Sequence, residues 1–178
     1  IVDDLGFADL GAYGSEIKTK NIDALAEEGI LFTNFYASPN CSPSRAMLMS
    51  GMDNHHAGFG AMVGQYTGAN QKDKSGYEGY LNNKTIAFSE LLNDINYRTY
   101  YSGKWHLGSN EIANPNARGF DKAWWQVAGS PGSHFDWSSP TNKIKNNYFE
   151  NEVPQSDVPE NLFSSNFFTN KLISYINK

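Results

Sequence analysis

The chain has 178 residues, with 14 Lys and Arg against 19 Asp and Glu and a net charge of −5. This length suits one domain or part of one, and the 11 Phe, 10 Tyr and 4 Trp argue against a disordered chain. The mildly acidic balance without a basic run excludes a protein that wraps nucleic acid. The single cysteine, Cys41, excludes an intramolecular disulfide. No apolar run approaches the roughly 18 residues needed for a membrane span.

Strands that alternate with helices favour an α/β fold with a largely parallel sheet. Runs of apolar, β-branched and aromatic residues predict strands that end near Val2 and cover residues 30–37 and 97–102. Helical spacing predicts helices over residues 21–28 and 45–49, a helix that Thr85 caps and that runs to about Asp94, and a helix from residue 164 or 165 onward. Phe168, Leu172, Ile173 and Ile176 would form the buried stripe of the last helix. The first strand lacks its beginning and the last helix lacks a stop signal, so we expect a chain that is cut at both ends.

Residues 108–160 break this pattern. Tryptophans, asparagines and five prolines predict irregular structure that aromatic side chains pack together. Long loops in a compact domain are usually functional or form the wall of a pocket.

Two adjacent carboxylates, Asp3 and Asp4, directly follow the opening strand. In open α/β sheets, ligands bind beyond the carboxyl ends of the strands. Two neighbouring carboxylates repel each other unless a cation lies between them, and hard cations such as Ca²⁺ and Mg²⁺ take oxygen ligands. On the residues alone, a metal site and a solvated acidic turn both remain open.

The segment from Cys41 to Gly51 begins with the pattern Cys-Ser-Pro-Ser-Arg. Pro43 suits the first turn of a helix and Ser42 could cap it, which would leave Cys41 just before the helix N-terminus. Such a position favours anions and activated nucleophiles. Arg45, one turn further on, could direct its planar guanidinium at an oxyanion. A buried and unreactive free cysteine is the competing interpretation.

Lys104, Trp105 and His106 come after the predicted strand 97–102 and Gly103. In an extended chain, residues two apart point the same way, so Lys104 and His106 could enter one site while Trp105 packs behind them. An ammonium and an imidazole suit the binding of a tetrahedral oxyanion and proton transfer. The alternative is a pair of ordinary surface residues.

Together these segments resemble the N-terminal part of a type I sulfatase, in the arylsulfatase family of the alkaline-phosphatase-like superfamily. The resemblance rests on matching stretches in family order at residues 1–6, 21–26, 41–51, 103–108, 118–121 and 164–176. The Cys-x-Pro-x-Arg element is the most specific of them, because in the family it directs oxidation of the cysteine to formylglycine. One departure is Met49-Ser50-Gly51, which stands where Leu-Thr-Gly is usual.

The resemblance implies a mixed, mostly parallel sheet flanked by helices, of which residues 1–178 would be the N-terminal part. It implies that Asp3, Asp4 and modified Cys41 bind a divalent metal, Ca²⁺ in preference to Mg²⁺. Cys41, as the hydrated aldehyde, would supply the nucleophilic hydroxyl and Arg45 would hold it. Lys104 would bridge this group and a sulfate oxygen, and His106 would take a proton from the second hydroxyl.

The expected activity is hydrolysis of aryl or carbohydrate sulfate esters, with a formylglycine-generating enzyme as the modifying partner. Two alternatives remain open, a formylglycine-dependent phosphonate or phosphodiester hydrolase and a non-catalytic paralogue. The resemblance places a further Asp-Asn metal pair, a substrate His and a second Lys downstream of the matched region. A periplasmic or secreted location is favoured because many sulfate esters are extracellular.

Overall fold

A computed structural model describes residues 1–62, 65, 68–72, 74–127, 147–155 and 162–178. Two compact units make up the chain, Ile1–Cys41 and Ser42–Lys178. In the described ranges, no helix has both the length and the apolar character needed to cross a membrane. Each unit is described by itself below.

The Ile1–Cys41 unit contains two short 3₁₀ turns, Phe7–Asp9 and Gly11–Tyr13, and helix α1, Lys20–Glu28. The Asp23 carboxylate fixes the start of α1 because it accepts hydrogen bonds from the Ala12 amide (2.8 Å) and the Thr19 hydroxyl (2.7 Å). The helix predicted over residues 21–28 is therefore confirmed, with one additional residue at its start.

The two strands predicted in this unit are wrong. Residues 1–41 are all described and none of them lies in a strand. A strand needs a hydrogen-bonded neighbour, and the apolar side chains of residues 30–37 meet solvent instead, with Ile30 80%, Phe32 61% and Phe35 73% exposed. The β-branched and aromatic composition of residues 30–37 favours a strand, but composition does not supply the partner strand.

The Ser42–Lys178 unit is built on a four-stranded mixed sheet in the order β1-β2-β3-β4. The strands are β1 (Tyr100–Lys104), β2 (Lys122–Gln126), β3 (Tyr148–Glu150) and β4 (Val153–Pro154). The pair β1·β2 is parallel, and the pairs β2·β3 and β3·β4 are antiparallel. The predicted mixed α/β architecture is confirmed, and one of its three described pairings is parallel.

Two expectations about the sheet need correction. The strand predicted over 97–102 lies at Tyr100–Lys104, so Gly103 and Lys104 belong to β1 instead of following it.

The region 108–160, predicted to be irregular, contains β2, β3 and β4. Its tryptophans Trp124 and Trp125 are buried strand residues. Large aromatic side chains fit the pleated surface of a sheet, and this preference outweighed the nearby prolines and asparagines. Residues 128–146 and 156–161 lie outside the described ranges.

Helix α4 (Ser164–Ile176) packs against β1 and β2 and confirms the last predicted helix. Of the four residues predicted to be buried, Phe168 and Leu172 are half-buried, whereas Ile173 and Ile176 are 49% and 64% exposed. The helix contacts the sheet through aromatic rings instead, with Phe167 5.2 Å from Trp124 and Tyr175 6.1 Å from Tyr100 between ring centroids.

Helix α3 (Phe88–Asp94) begins two residues later than predicted, because Ala87 occupies the N-cap position instead of Thr85. The Glu90 carboxylate accepts a hydrogen bond from the Ala87 amide (2.7 Å) and pairs with the Arg118 guanidinium (2.9 Å). Arg118 is 4% exposed and also donates to the Thr85 carbonyl (2.5 Å). Burial lowers the pKa of Arg118, and the charge of Glu90 acts in the opposite direction.

Candidate active site

Helix α2 (Cys41–Ser50) begins at the cysteine itself. Ser42 was expected to cap this helix, but it lies inside the first turn, buried. Its hydroxyl has no hydrogen-bond partner among the described residues. Pro43 is compatible with this start, because its fixed φ and missing N–H are tolerated in the first turn of a helix. Cys41 therefore lies at the helix N-terminus, where it is half-buried and forms no disulfide.

Arg45 lies one turn into α2 and is 6% exposed. Its Nη1 donates a hydrogen bond of 2.6 Å to the carbonyl oxygen of Lys104, 59 residues away in the chain. A charged donor makes this bond stronger than one between neutral groups. The contact brings the Cys-x-Pro-x-Arg segment and the Gly-Lys-Trp-His segment together.

The Lys104 carbonyl accepts a second hydrogen bond, from the hydroxyl of Tyr101. Tyr101 lies three residues earlier on β1, and its residue type alone indicates no role beyond membership of a strand. The alternation of a strand places Tyr101, Gly103 and Trp105 on one face. This two-residue alternation is the sequence signal that could have indicated a contact between Tyr101 and the Lys104–His106 segment.

Trp105 packs behind the site, as predicted. It is 1% exposed, and its indole N–H donates to the Ala113 carbonyl (2.7 Å). Its ring meets Tyr101 and Phe120 edge to face, at centroid distances of 5.2 and 6.0 Å. A layer of three aromatic rings thus supports the end of β1.

His106 does not continue the extended chain that was predicted. Its φ is +58°, in the left-handed region that few non-glycine residues adopt. Its amide donates to the Val127 carbonyl (2.9 Å), and the Trp105 amide donates to Gln126 (2.8 Å). These bonds extend the pairing with the β2 side past the end of β1. Simple two-residue alternation therefore does not relate Lys104 to His106.

The segment that follows α2 also reaches this end of β1. The Leu81 amide donates to the Leu107 carbonyl (2.8 Å), and the Asn82 amide donates to Ala57 (3.2 Å). Asn82 is 4% exposed, and its side chain donates to the His56 carbonyl (2.9 Å). The backbone around Lys104–Leu107 is thus held by the β2 side, by Arg45 and by this loop.

Asp3 and Asp4 lie exposed in the Ile1–Cys41 unit, and Asp4 has a φ of +54°. Their carboxylate oxygens are the donors that Ca²⁺ prefers, so the chemistry of the pair fits this ion. Ca²⁺ takes about 6–8 oxygen ligands, and the described residues contain no group of three or more His, Cys, Asp or Glu placed to hold a metal. The pair can therefore contribute part of a coordination shell.

Comparisons with known proteins agree with this arrangement of segments. The Sulfatase family model matches residues 1–178. A sulfatase of Schizosaccharomyces pombe is 40% identical over 185 residues, covering 99% of this chain and 33% of that protein. The arylsulfatase of Klebsiella aerogenes is 33% identical over 178 residues, covering 99% of this chain and 38% of the enzyme. The chain thus spans about a third of the length of these relatives.

A solved structure carries the same fold. BT4656, in complex with its substrate D-glucosamine-2-N,6-O-disulfate, matches 96% of this chain and 28% of its own chain. The TM-score is 0.64 and the sequence identity is 27%. With a family model that covers the full chain and a fold shared with a solved relative, this chain belongs to the sulfatase family, as an N-terminal portion of a sulfatase.

Proposed function

We propose that the protein to which this chain belongs hydrolyses aryl or carbohydrate sulfate esters. The proposal assigns a formylglycine made from Cys41 as the nucleophile and a divalent cation, Ca²⁺, as the metal. Family membership supports the reaction class, and the names of relatives support both substrate types, an arylsulfatase and a protein solved with a disulfated sugar.

One observation carries the proposal, the 2.6 Å hydrogen bond from Arg45 to the Lys104 carbonyl. It joins the segment that would be modified to the segment that would supply a cation and an imidazole. Arg45 is buried, so its positive charge is poorly screened by solvent. An electropositive helix N-terminus is a suitable place to hold a tetrahedral anion.

In this proposal each site residue has one task. Arg45 orients the hydroxyls of modified Cys41 and offsets the negative charge that develops there. Lys104 binds a sulfate oxygen, and His106 takes the proton that must leave for the cycle to close. Asp3 and Asp4 contribute carboxylate oxygens to the cation, which would withdraw charge from the sulfate oxygens when bound. The remaining ligands would come from downstream chain.

Modification of Cys41 requires a partner, a formylglycine-generating enzyme that recognises the Cys-x-Pro-x-Arg element. The first experiment is the mass of the tryptic peptide that spans residues 21–45, from protein made in its native host. Neither Lys nor Arg interrupts this peptide before Arg45. We expect the lighter mass of formylglycine. An unmodified thiol, in a host that modifies such motifs, would contradict the catalytic proposal.

Activity is then measured on 4-nitrophenyl sulfate with native-length protein. We expect the Cys41→Ala variant to lose hydrolysis and the Ser174→Ala variant, at an exposed position of α4, to retain it. Faster turnover of a phosphodiester or phosphonate than of every sulfate ester tested would replace the proposed substrate class with the phosphorus alternative.

A further inference from the structure

We propose that Tyr101 is a positioning residue for the active site, and that its hydroxyl fixes the backbone of the Lys104–His106 turn. The inference rests on the proposed function, since it concerns how Lys104 and His106 are presented to a sulfate ester. No element of the family pattern described above includes this tyrosine.

The first part of the argument is the carbonyl of Lys104. It is the point at which two side chains from different elements meet, Tyr101 from β1 and Arg45 from α2. A carbonyl oxygen has two lone pairs, so these two donors satisfy it. Fixing this oxygen fixes the peptide plane between Lys104 and Trp105, and with it the direction in which the chain leaves the strand.

The second part is the conformation on either side of that peptide. Gly103 has a φ of +138° and His106 a φ of +58°. A non-glycine residue in the left-handed region is held there by its surroundings, at an energetic cost. Hydrogen bonds that fix the Lys104 carbonyl and the amides of Trp105 and His106 supply this restraint.

The third part is the rigidity of the tyrosine itself. Its ring meets Trp105 at 84° and Phe120 at 61°, with centroid distances of 5.2 and 5.1 Å. Trp105 and Phe120 are both buried. A ring packed in this way directs its hydroxyl to one place, which is what a positioning donor requires.

The test compares Tyr101→Phe with Tyr100→Phe in native-length, formylglycine-containing protein. Tyr100 is the matched control, because it precedes Tyr101 on β1 and contacts Tyr175 of α4. Loss of one hydrogen bond to the turn should lower kcat about tenfold. KM should stay within about twofold, because the lost restraint acts on chemistry more than on binding. Tyr100→Phe should leave both constants near wild type.

A second readout does not depend on activity. Hydrogen exchange at the Trp105 and His106 amides should be about tenfold faster in Tyr101→Phe than in wild type, because a less restrained turn opens more often. It should be unchanged in Tyr100→Phe. Replacement of Tyr101 by 4-aminophenylalanine, which keeps a donor at the same position, should restore kcat and exchange toward wild type. If Tyr101→Phe does not accumulate as folded protein, the 4-aminophenylalanine variant is compared with wild type in its place.

The outcomes separate the two proposals. Unchanged exchange and unchanged kcat in a folded Tyr101→Phe variant overturn the positioning role. So does a fall in kcat that the Tyr100→Phe variant shares. If wild-type protein hydrolyses no sulfate ester, the proposed function fails, and the exchange rates alone then decide whether Tyr101 holds the turn.

Discussion

The guanidinium of Arg45 combines a fixed positive charge with several donors in one plane, and the proposed function needs both properties. One donor bonds to the Lys104 carbonyl at 2.6 Å, and the side chain is 6% exposed. A lysine in its place would keep the charge, but its single ammonium cannot reproduce the planar array of donors. The geometry of the donors, beyond the charge alone, is therefore expected to matter.

This argument predicts the result of Arg45→Lys. We expect kcat/KM for 4-nitrophenyl sulfate to fall about 10²-fold, the effect of losing one donor to a developing oxyanion. The free energy of unfolding should fall by about 1.5–3 kcal/mol, the range for a hydrogen bond to a charged group. Arg98→Lys is the control, since Arg98 is 79% exposed in its ion pair with Asp121. Equal activity of the two variants would refute the role of the planar donors.

At the scale of elements, the start of α3 and the loop before β2 form one packed unit. The Ser89 hydroxyl donates to the Arg118 carbonyl, and the Thr99 hydroxyl donates to the Gly119 carbonyl (2.6 Å). Gly119 has a φ of +87°, and a Cβ added there would lie 2.6 Å from the Glu90 amide nitrogen. Helix and loop approach so closely only because residue 119 has no side chain.

We therefore expect Gly119→Ala to lower the free energy of unfolding by about 3 kcal/mol or more, because strain at positive φ adds to a clash with backbone. Gly51→Ala separates the two causes. Gly51 has a φ of +67°, and nothing lies within 4 Å of an added Cβ. That variant should lose only about 1–2 kcal/mol. Urea unfolding measures both, and equal losses would show that close packing of the loop contributes nothing.

The elements also show what the sequence could predict. Helices α1 and α4 were placed to within about one residue of their observed bounds, because a helix satisfies its own backbone hydrogen bonds and its signals are local. Strands were placed poorly, since a strand depends on a partner that can be remote in sequence. The segment 30–37 has strand composition without a described partner, whereas Trp124 and Trp125 form a strand in a region predicted to be irregular.

For the candidate site, motifs identified the segments but not their geometry. Cys41, Arg45 and Lys104 could be singled out because their residue types suit the chemistry. The left-handed conformation of His106 and the hydrogen bond from Tyr101 could not be predicted. Both depend on how β1 ends against β2 and on which side chains pack beneath the turn, and neither is encoded in local spacing.

At the largest scale, helix α4 packs against the sheet of the Ser42–Lys178 unit. A small polar cluster connects this helix with β3. The Tyr175 hydroxyl donates to a Glu150 carboxylate oxygen (3.0 Å), and Lys171 pairs with the other oxygen (3.5 Å). The Lys171 ammonium also lies 4.1 Å from the centroid of the Trp124 ring. Burial, and next the hydrogen bond to Glu150, raise the pKa of Tyr175 well above its ordinary range.

This shift predicts how stability depends on pH. In the unfolded chain Tyr175 loses its proton near about pH 10, whereas the folded protein retains it. Above that pH the unfolded state binds fewer protons, so the free energy of unfolding falls as pH rises. The contribution of Tyr175 is therefore fully present below about pH 10 and is lost progressively above it.

Tyr175→Phe isolates this contribution. Near about pH 8 the variant should be less stable than wild type by about 1 kcal/mol, the typical value of the lost hydrogen bond. As pH rises above about 10, wild type should lose stability faster and the two should converge, since phenylalanine has no proton to lose. Tyr97→Phe, at a tyrosine that is 59% exposed, should follow wild type throughout. The measurement is the urea midpoint of unfolding of wild type and both variants at each pH. A constant difference between wild type and Tyr175→Phe would mean that the Tyr175 hydroxyl is not protected by the contact between α4 and the sheet.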